Sequence, residues 1–464
     1  MVTFSHDDNG TSAETWSAHG RDDLPVLQTE SFFAPQQRLL LLAAHPDDET
    51  LGAAGLIRQA LSAGTDVHIM MCSSGEASHP DSPTHTPAQL AAVRKQELAA
   101  ALNVLKLDGP NSGTLSWEFL DLPDGKLPAA REEIRAAAQE CITSSTNLLV
   151  STYRHDGHCD HEVLGQIATD LASEHGTALL EFPLWYWHWV SPDADQRWKY
   201  WHRVPLDPQL HAVKQAALAE HHSQVAPLSD QAGDERLLSV GFIAHFEQPY
   251  EVFRYTPAGL KDSGVATRTF DALYRSQPDP WNYRDSPYEH RKRFVTAASL
   301  QQPRYESVLE LGCSIGISTA ELARRAAHLT AIDASATALE QARKNTADCE
   351  NVNFHQATLP RDWPELPHAS YDLAVVSEIG YYLAHDELHQ LLKHIADVLR
   401  PGGELLLCHW LHHIEGWSLS GADVHDLVQQ LGWSRLVEHR ERDFLLEIFQ
   451  RPDEPNREDA DCGS

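Results

Sequence analysis

The chain has 464 residues, 42% apolar and 22% charged, which at roughly 150 residues per domain predicts two or three domains and excludes wholesale disorder. Its 36 basic and 67 acidic side chains leave a net charge of −31, which repels polyanions and argues against nucleic acid or anionic membranes as partners. No run of about 18 apolar residues occurs and the first residues lack the plan of a signal peptide, so a soluble, cytoplasmic protein without membrane insertion is expected.

Residues 1–37 are polar and without sustained period, which predicts a flexible arm. From Arg38 onward, apolar runs alternate with segments of helical period. RLLLLAA reads as a strand, Glu49 to Ala63 as a helix, DVHIMMCSS as a strand, and PAQLAAVRKQELAAALNVL and AAREEIRAAAQECI as helices. NLLVST follows as a strand, His161 to Glu174 as a helix, and TALLEFPLWYW as a strand. Strands that are unbroken apolar runs between helices predict a mostly parallel sheet covered on both faces. This first domain is expected over 38–255. TPAGLKDSG then predicts a linker over 256–270. A second alternation follows over 271–451: strand SVLELG, a helix to about Ala327, strand LTAID, a helix from Ala336, strands VNFHQA and YDLAVVS, a helix from Asp386, and strands GGELLLCHW and DFLLEIFQ. PDEPNREDADCGS predicts a disordered acidic tail over 452–464. The expected fold class is α/β, with two Rossmann-like domains, each a mostly parallel sheet with helices on both faces.

Seven cysteines without a CxxC pair predict reduced thiols, whereas 28 histidines are many for this length. At the end of the first strand stands Ala44-His45-Pro46-Asp47-Asp48-Glu49. Ligands of open α/β sheets bind at the carboxyl ends of strands. Adjacent aspartates there can divide two tasks, one ligating a cation and one facing its water, or they can simply cap a helix. At the end of NLLVST, the segment Tyr153 to Glu162 places His155, His158 and His161 close together. His45, Asp48 and His161 offer three N/O ligands and leave a position open for water, as catalytic zinc sites do, and Asp47 is the carboxylate able to take that water's proton.

His45-Pro46-Asp47-Asp48-Glu49 and His158-Cys159-Asp160-His161 resemble the paired signatures of the PIG-L (LmbE-like) zinc deacetylases, which hydrolyse N-acetyl groups of glucosamine-containing substrates. Gly75-Glu76, Arg94, Glu97, Leu122-Pro123-Asp124-Gly125, Lys214, His221, Ser223 and Gln224 are further matches. The resemblance implies His45, Asp48 and His161 as Zn2+ ligands, Asp47 as general base, and His158 as the group that stabilises the oxyanion or protonates the amine. Asp160 is expected to orient a histidine ring and Arg94 to support the site or substrate. Cys159 stands where the family has proline, which reads as a packing variant. The aromatic tract Trp185 to Trp201 suits either a sugar-stacking wall or a core.

In the second half, Glu310-Leu311-Gly312-Cys313-Ser314-Ile315-Gly316 joins a strand to a helix, and Asp333 ends the next strand about 20 residues on, where an acid can bind ribose hydroxyls. The glycine spacing suits S-adenosylmethionine better than a dinucleotide. The segment resembles class I S-adenosylmethionine-dependent methyltransferases. With Asp279-Pro280-Trp281, Tyr288-Glu289 and Ser377-Glu378-Ile379-Gly380-Tyr381-Tyr382-Leu383 it is similar to the nodulation-factor N-methyltransferases. That likeness places Glu310, Gly312, Cys313 and Gly316 around the methionine part, Asp333 on the ribose, and Trp281 or Tyr288 over the pocket. Ala357-Thr358 stands where many relatives carry an acid near the adenine. Glu378 can accept the acceptor's proton or cap a turn.

Hydrolysing an acetamide unmasks an amine that a methyl donor can use. The expectation is therefore a bifunctional enzyme acting on a small amino-sugar or glycoconjugate substrate. Its alternatives are methylation of an oxygen or an unrelated acceptor, and a catalytically silent scaffold. The sequence does not fix the oligomeric state.

Overall fold

The protein, seen in a computed structural model, is described over residues 10–453 apart from 262, 413 and 415. It divides into two compact units, Met1–Gly259 and Leu260–Ser464. The first unit holds β1 (Arg38–Ala43), β2 (Asp66–Ser73), β3 (Leu115–Leu122), β4 (Thr146–Thr152), β5 (Ala178–Phe182), β6 (His202–Pro205) and β7 (Tyr250–Thr256). They form one seven-stranded sheet in the order β3-β2-β1-β4-β5-β7-β6. β1 pairs in parallel with β2 and β4, Leu41 lying opposite Ile69 and Val150, while β7 runs antiparallel to β5 and β6. The unbroken apolar run of β1 serves both faces. Leu39 and Leu41 enter one core with Ile57 and Leu61 of the helix Asp48–Ser62, and Leu40 and Leu42 enter another with Leu164 and Ile167 of the helix Cys159–His175.

The expected arm over 1–37 needs correction for residues 10–37. Ser12 caps a short helix, Ala13–Ala18, by accepting from Thr15 N. Trp16 on that helix is fully buried, and its Nε1 donates to Trp187 O at 2.7 Å. The aromatic tract is mostly core: Tyr186, Trp187 and Trp198 lie around Trp16, with ring centroids 4.8 to 5.8 Å away. One large apolar side chain pins a segment whose average composition is polar. Residues 1–9 and 454–464, the ends of the expected arm and tail, lie outside the described residues.

The second unit repeats the plan with β8 (Tyr305–Leu311), β9 (Ala326–Asp333), β10 (Val352–Gln356), β11 (Tyr371–Ser377), β12 (Leu399–Trp410), β13 (Ser434–Arg440) and β14 (Phe444–Gln450). Its order is β10-β9-β8-β11-β12-β14-β13, the same winding as the first unit. β8 pairs in parallel with β9 and β11, and β14 is antiparallel to β12 and β13. The linker expected over 256–270 is also corrected, because Ser263–Ser276 is a helix. Its Ala266, Phe270 and Tyr274 recur every four residues and line one cavity. In each sheet the winding reverses between the first and fourth strands, where a crevice opens at the carboxyl ends. Among the described residues, no helix is long and apolar enough to cross a membrane.

Candidate active sites

In the first unit both signatures meet at that crevice, one after β1 and one after β4. Asp47 has φ +144° and makes no side-chain cap bond to the helix that Asp48 begins, so its carboxylate does not serve as a helix cap. A φ of this kind costs about 1–3 kcal/mol and persists where the surroundings enforce it. Asp48 Oδ2 accepts from Ala44 N and His45 N, both at 2.9 Å, which fixes the carboxylate and turns Oδ1 inward.

His161 Nε2 lies 3.4 Å from Asp48 Oδ1 and 3.3 Å from His45 Nδ1, and His45 Nδ1 lies 3.8 Å from Asp48 Oδ2. A tetrahedral ion bound at roughly 2.0–2.1 Å separates its ligands by about 3.3–3.4 Å. The donor set His45, Asp48 and His161 therefore fits such an ion. The other ring nitrogens are engaged. His161 Nδ1 meets Asp156 Oδ2 at 2.6 Å, and His45 Nε2 meets Asp124 Oδ1 at 2.9 Å and Asp160 Oδ2 at 3.3 Å. With protons directed to these carboxylates, the lone pairs of His161 Nε2 and His45 Nδ1 face each other across the site.

The sequence points to Asp160 alone for ring orientation and marks neither Asp156 nor Asp124 for it. Asp160 does reach His45, but it also accepts from Gly125 N at 2.8 Å and Leu127 N at 3.0 Å, tying down the loop that carries Asp124.

Asp47 is buried beside Arg94, whose Nη2 lies 3.2 Å from its Oδ1. Burial pushes the Asp47 pKa up to about 6, against the pull of Arg94. Arg94 is itself held by Gly75 O and Pro46 O at 3.0 and 2.8 Å. Burial works to raise Asp48 as well, but the charges of His161 and His45 hold its carboxyl well below the usual range. His158 caps its helix by accepting from Asp160 N on Nδ1 at 3.3 Å, which leaves the proton of a neutral ring on Nε2. Burial, with the charges of His161 and His45, lowers its pKa to about 3. Cys159 is exposed and stays outside the donor set.

The remaining signature residues form a buried support. Glu97 accepts from Ser223 N and Oγ at 2.8 and 2.6 Å, His221 Nε2 lies 3.1 Å from Thr50 Oγ1, and Lys214 Nζ donates to Leu51 O at 2.7 Å.

The second unit opens a cavity of about 420 Å³ at the ends of β8, β9 and β11. Gly312 has φ +78°, and a Cβ there would stand 2.3 Å from Ile379 Cγ2, so the loop leaves a cradle only glycine provides. Gly316, at φ +79°, lets the loop approach Ala342, whose Cα would lie 2.8 Å from an added Cβ. Asp333 accepts from Ser314 N at 2.8 Å and Ser335 N at 2.9 Å and faces the cavity. Trp281, Tyr288 and Ala357 also line it.

Glu310 lies behind the loop on a smaller cavity of about 70 Å³; its Oε2 is buried and has no hydrogen-bond partner among the described residues. An orphaned acceptor beside this glycine cradle fits the polar methionine end of S-adenosylmethionine. Cys313 lines the same smaller cavity, with its side chain packed against Ala331 and Leu339. Glu378 stands at φ +61° with its carboxylate saturated: Lys292 Nζ donates to Oε1 at 2.6 Å, and Tyr381 Oη and Trp410 N, the latter at 3.0 Å, donate to Oε2.

Comparison with known proteins matches residues 40–172 to the GlcNAc-PI de-N-acetylase family and residues 308–403 to a methyltransferase domain family. A 1D-myo-inositol 2-acetamido-2-deoxy-alpha-D-glucopyranoside deacetylase of Rhodococcus jostii is 29% identical over 36% of this chain and 61% of its own length. The chain thus spans about three fifths of that relative. Nodulation protein S of Rhizobium tropici is 30% identical over 42% of this chain and 85% of its own length. The crystal structure of a methyltransferase from Pseudomonas syringae shares 39% identity over 35% of this chain and 99% of its own, with a TM-score of 0.32.

Proposed function

Because the chain belongs, through its second unit, to the nodulation protein S family and carries a GlcNAc-PI de-N-acetylase domain in its first, we propose that it removes the acetyl group from an N-acetylated amino sugar or glycoconjugate and then methylates the freed amine. The observation that carries this reading is the inward-facing His45, Asp48 and His161 donor set with Asp47 beside it. The substrate named for the Rhodococcus relative, a 2-acetamido glucoside, contains the bond in question.

Zinc held by His45 Nδ1, Asp48 Oδ1 and His161 Nε2 would acidify a water and polarise the acetamide carbonyl. Asp47 takes the water's proton, which its raised pKa favours, and Arg94 keeps the carboxylate in place. His158, neutral with its proton on Nε2, donates a hydrogen bond to the developing oxyanion, and the proton taken up by Asp47 passes to the departing nitrogen.

In the second unit S-adenosylmethionine would supply a methyl group on a positive sulfur. Asp333 accepts from ribose hydroxyls, Glu310 and the loop at Gly312 and Gly316 border the methionine part, and Trp281 and Tyr288 wall off water. The order of steps follows from the acceptor. An amide nitrogen is delocalised into its carbonyl and is a poor nucleophile, whereas the free amine is a good one.

Mass spectrometry of a panel of N-acetylglucosamine conjugates, with and without S-adenosylmethionine, tests the scheme. Wild type should show loss of acetyl and then gain of methyl, and Asp47→Asn should methylate only substrate that is already deacetylated. Methylation of still acetylated substrate at the wild-type rate would overturn the order and point to an oxygen acceptor.

A further inference from the structure

We propose that Glu289, bridged by Lys292 to Glu378, recognises the methyl acceptor as an ammonium ion and takes its proton. This rests on the N-methylation reading above and names the residue that reading lacks. The helix Pro287–Ser299 sets Glu289 and Lys292 one turn apart, both facing the cavity. Lys292 Nζ lies between two carboxylates, 2.9 Å from Glu289 Oε1 and 2.6 Å from Glu378 Oε1.

The two acids are not equivalent. Glu378 is committed to three donors, whereas Lys292 is the only donor that reaches the Glu289 carboxylate among the described residues. Glu289 and Lys292 are 8% and 6% exposed and Glu378 is half-buried; with buried Arg293 turned to Glu321 at 3.5 Å, the two carboxylates and one ammonium carry one net negative charge when both acids are ionised. A charge so placed is stabilised by a second cation, and without one Glu289 takes up a proton. The ammonium of a deacetylated amino sugar supplies that cation, and a neutral acetamide does not. Tyr283, Tyr288, Tyr381 and Trp410 wall the same cavity, and the ring of Tyr288 already lies 4.9 Å from Lys292 Nζ, a distance at which aromatic faces attract cations.

Among the described residues six titratable groups bear on Glu289: Tyr288, Lys292 and Arg293 on its own helix, Tyr283 before it, Glu378 after β11, and Cys408 on β12. Burial raises the Glu289 pKa against the pull of Lys292, which makes it a better proton acceptor than an exposed carboxylate. Burial opposes the charge on Lys292, but Glu378 and Glu289 hold its pKa far above the ordinary value, so the lysine stays protonated and is not the base. The step balances. One N–H proton of the ammonium moves to a Glu289 oxygen, and the nitrogen lone pair so exposed bonds to the donor's methyl carbon. The carbon–sulfur pair stays on sulfur, so the sulfonium charge ends on the methylated nitrogen, and Glu289 later gives its proton to solvent.

The test uses the full chain with S-adenosylhomocysteine bound, and D-glucosamine and N-acetyl-D-glucosamine as calorimetric probes. Wild type should bind glucosamine at least ~10-fold more tightly, and Glu289→Gln should lose that preference while its affinity for S-adenosylhomocysteine stays within about twofold. With S-adenosylmethionine, Glu289→Gln should methylate glucosamine ~10²-fold more slowly at neutral pH. Its rate should climb about tenfold per pH unit toward the amine's own pKa, while Glu289→Asp should recover part of the wild-type profile. A Glu289→Gln protein with wild-type sugar preference and pH profile would overturn the assignment of Glu289 alone. A wild-type protein that binds S-adenosylhomocysteine but neither prefers nor methylates glucosamine would overturn the N-methylation reading itself, and that comparison needs no variant.

Discussion

Asp156→Asn is the substitution whose consequences the structure specifies most fully. Four donors converge on this buried carboxylate: Leu184 N at 2.7 Å and Tyr186 N at 3.1 Å on Oδ1, and Trp185 N at 3.0 Å and His161 Nδ1 at 2.6 Å on Oδ2. Asparagine offers an oxygen to only two of them and must point its NH2 at the other two. The Oδ1 side holds two backbone amides, which cannot reverse, so the NH2 goes toward His161, whose imidazole can. Trp185 N is then left facing a donor, a loss of about 1–3 kcal/mol. His161 must accept on Nδ1, which moves its proton to Nε2, the atom that faces Asp48 and His45. Losing the partner that sets a ligating ring's tautomer costs about 10–100-fold in metal affinity. Urea denaturation of the full chain should show the first effect, and zinc competition against a chromophoric chelator the second. A zinc affinity within twofold of wild type would refute the argument that Asp156 sets the tautomer of His161.

Asp47→Asn should keep zinc affinity near wild type yet slow acetate release ~10²-fold or more; equal loss of zinc and activity would exchange the roles given to Asp47 and Asp48. Gly312→Ala should destabilise the second unit by about 2–5 kcal/mol, combining about 1–2 for a left-handed φ with about 1–3 for overpacking against Ile379. Adding Ile379→Ala should restore only the overpacking part by denaturant titration. Trp16→Ala should cost the first unit about 3–5 kcal/mol, and a loss under about 1 kcal/mol would show that the segment is not anchored there. Burial raises the Glu310 pKa from an ordinary 4.5 to about 8. A raised pKa favours the fold while the group is protonated, so stability present below about pH 4.5 should decline as pH rises through about 8. Glu310→Gln should flatten that decline, and an unchanged pH slope in denaturation would show that Glu310 titrates normally.

The sheets were legible because buried parallel strands are written as continuous apolar runs, as in β1 and β11, and the loops that follow them hold His45 to Asp48, His158 to His161, and Gly312 to Gly316 in short contiguous stretches. Of the edge strands, β10 was legible as VNFHQA, but β3 and β13 were not. β3 alternates exposed and half-buried residues, and β13 is largely exposed, so neither carries an apolar run. The helix Ser263–Ser276 was hidden behind TPAGLKDSG, although Ala266, Phe270 and Tyr274 repeat at helical spacing. A composition reading averages, and averaging likewise erased Trp16. The site shows a different limit. Residue type names a carboxylate as a possible base or ring partner, but its role depends on which lone pairs other donors already occupy. That occupancy separates Asp156 from Asp160 at the imidazoles, and it separates Glu289 from Glu378 at the methyl acceptor, where the saturated acid sits in the more conspicuous motif and the less engaged one is free to move a proton.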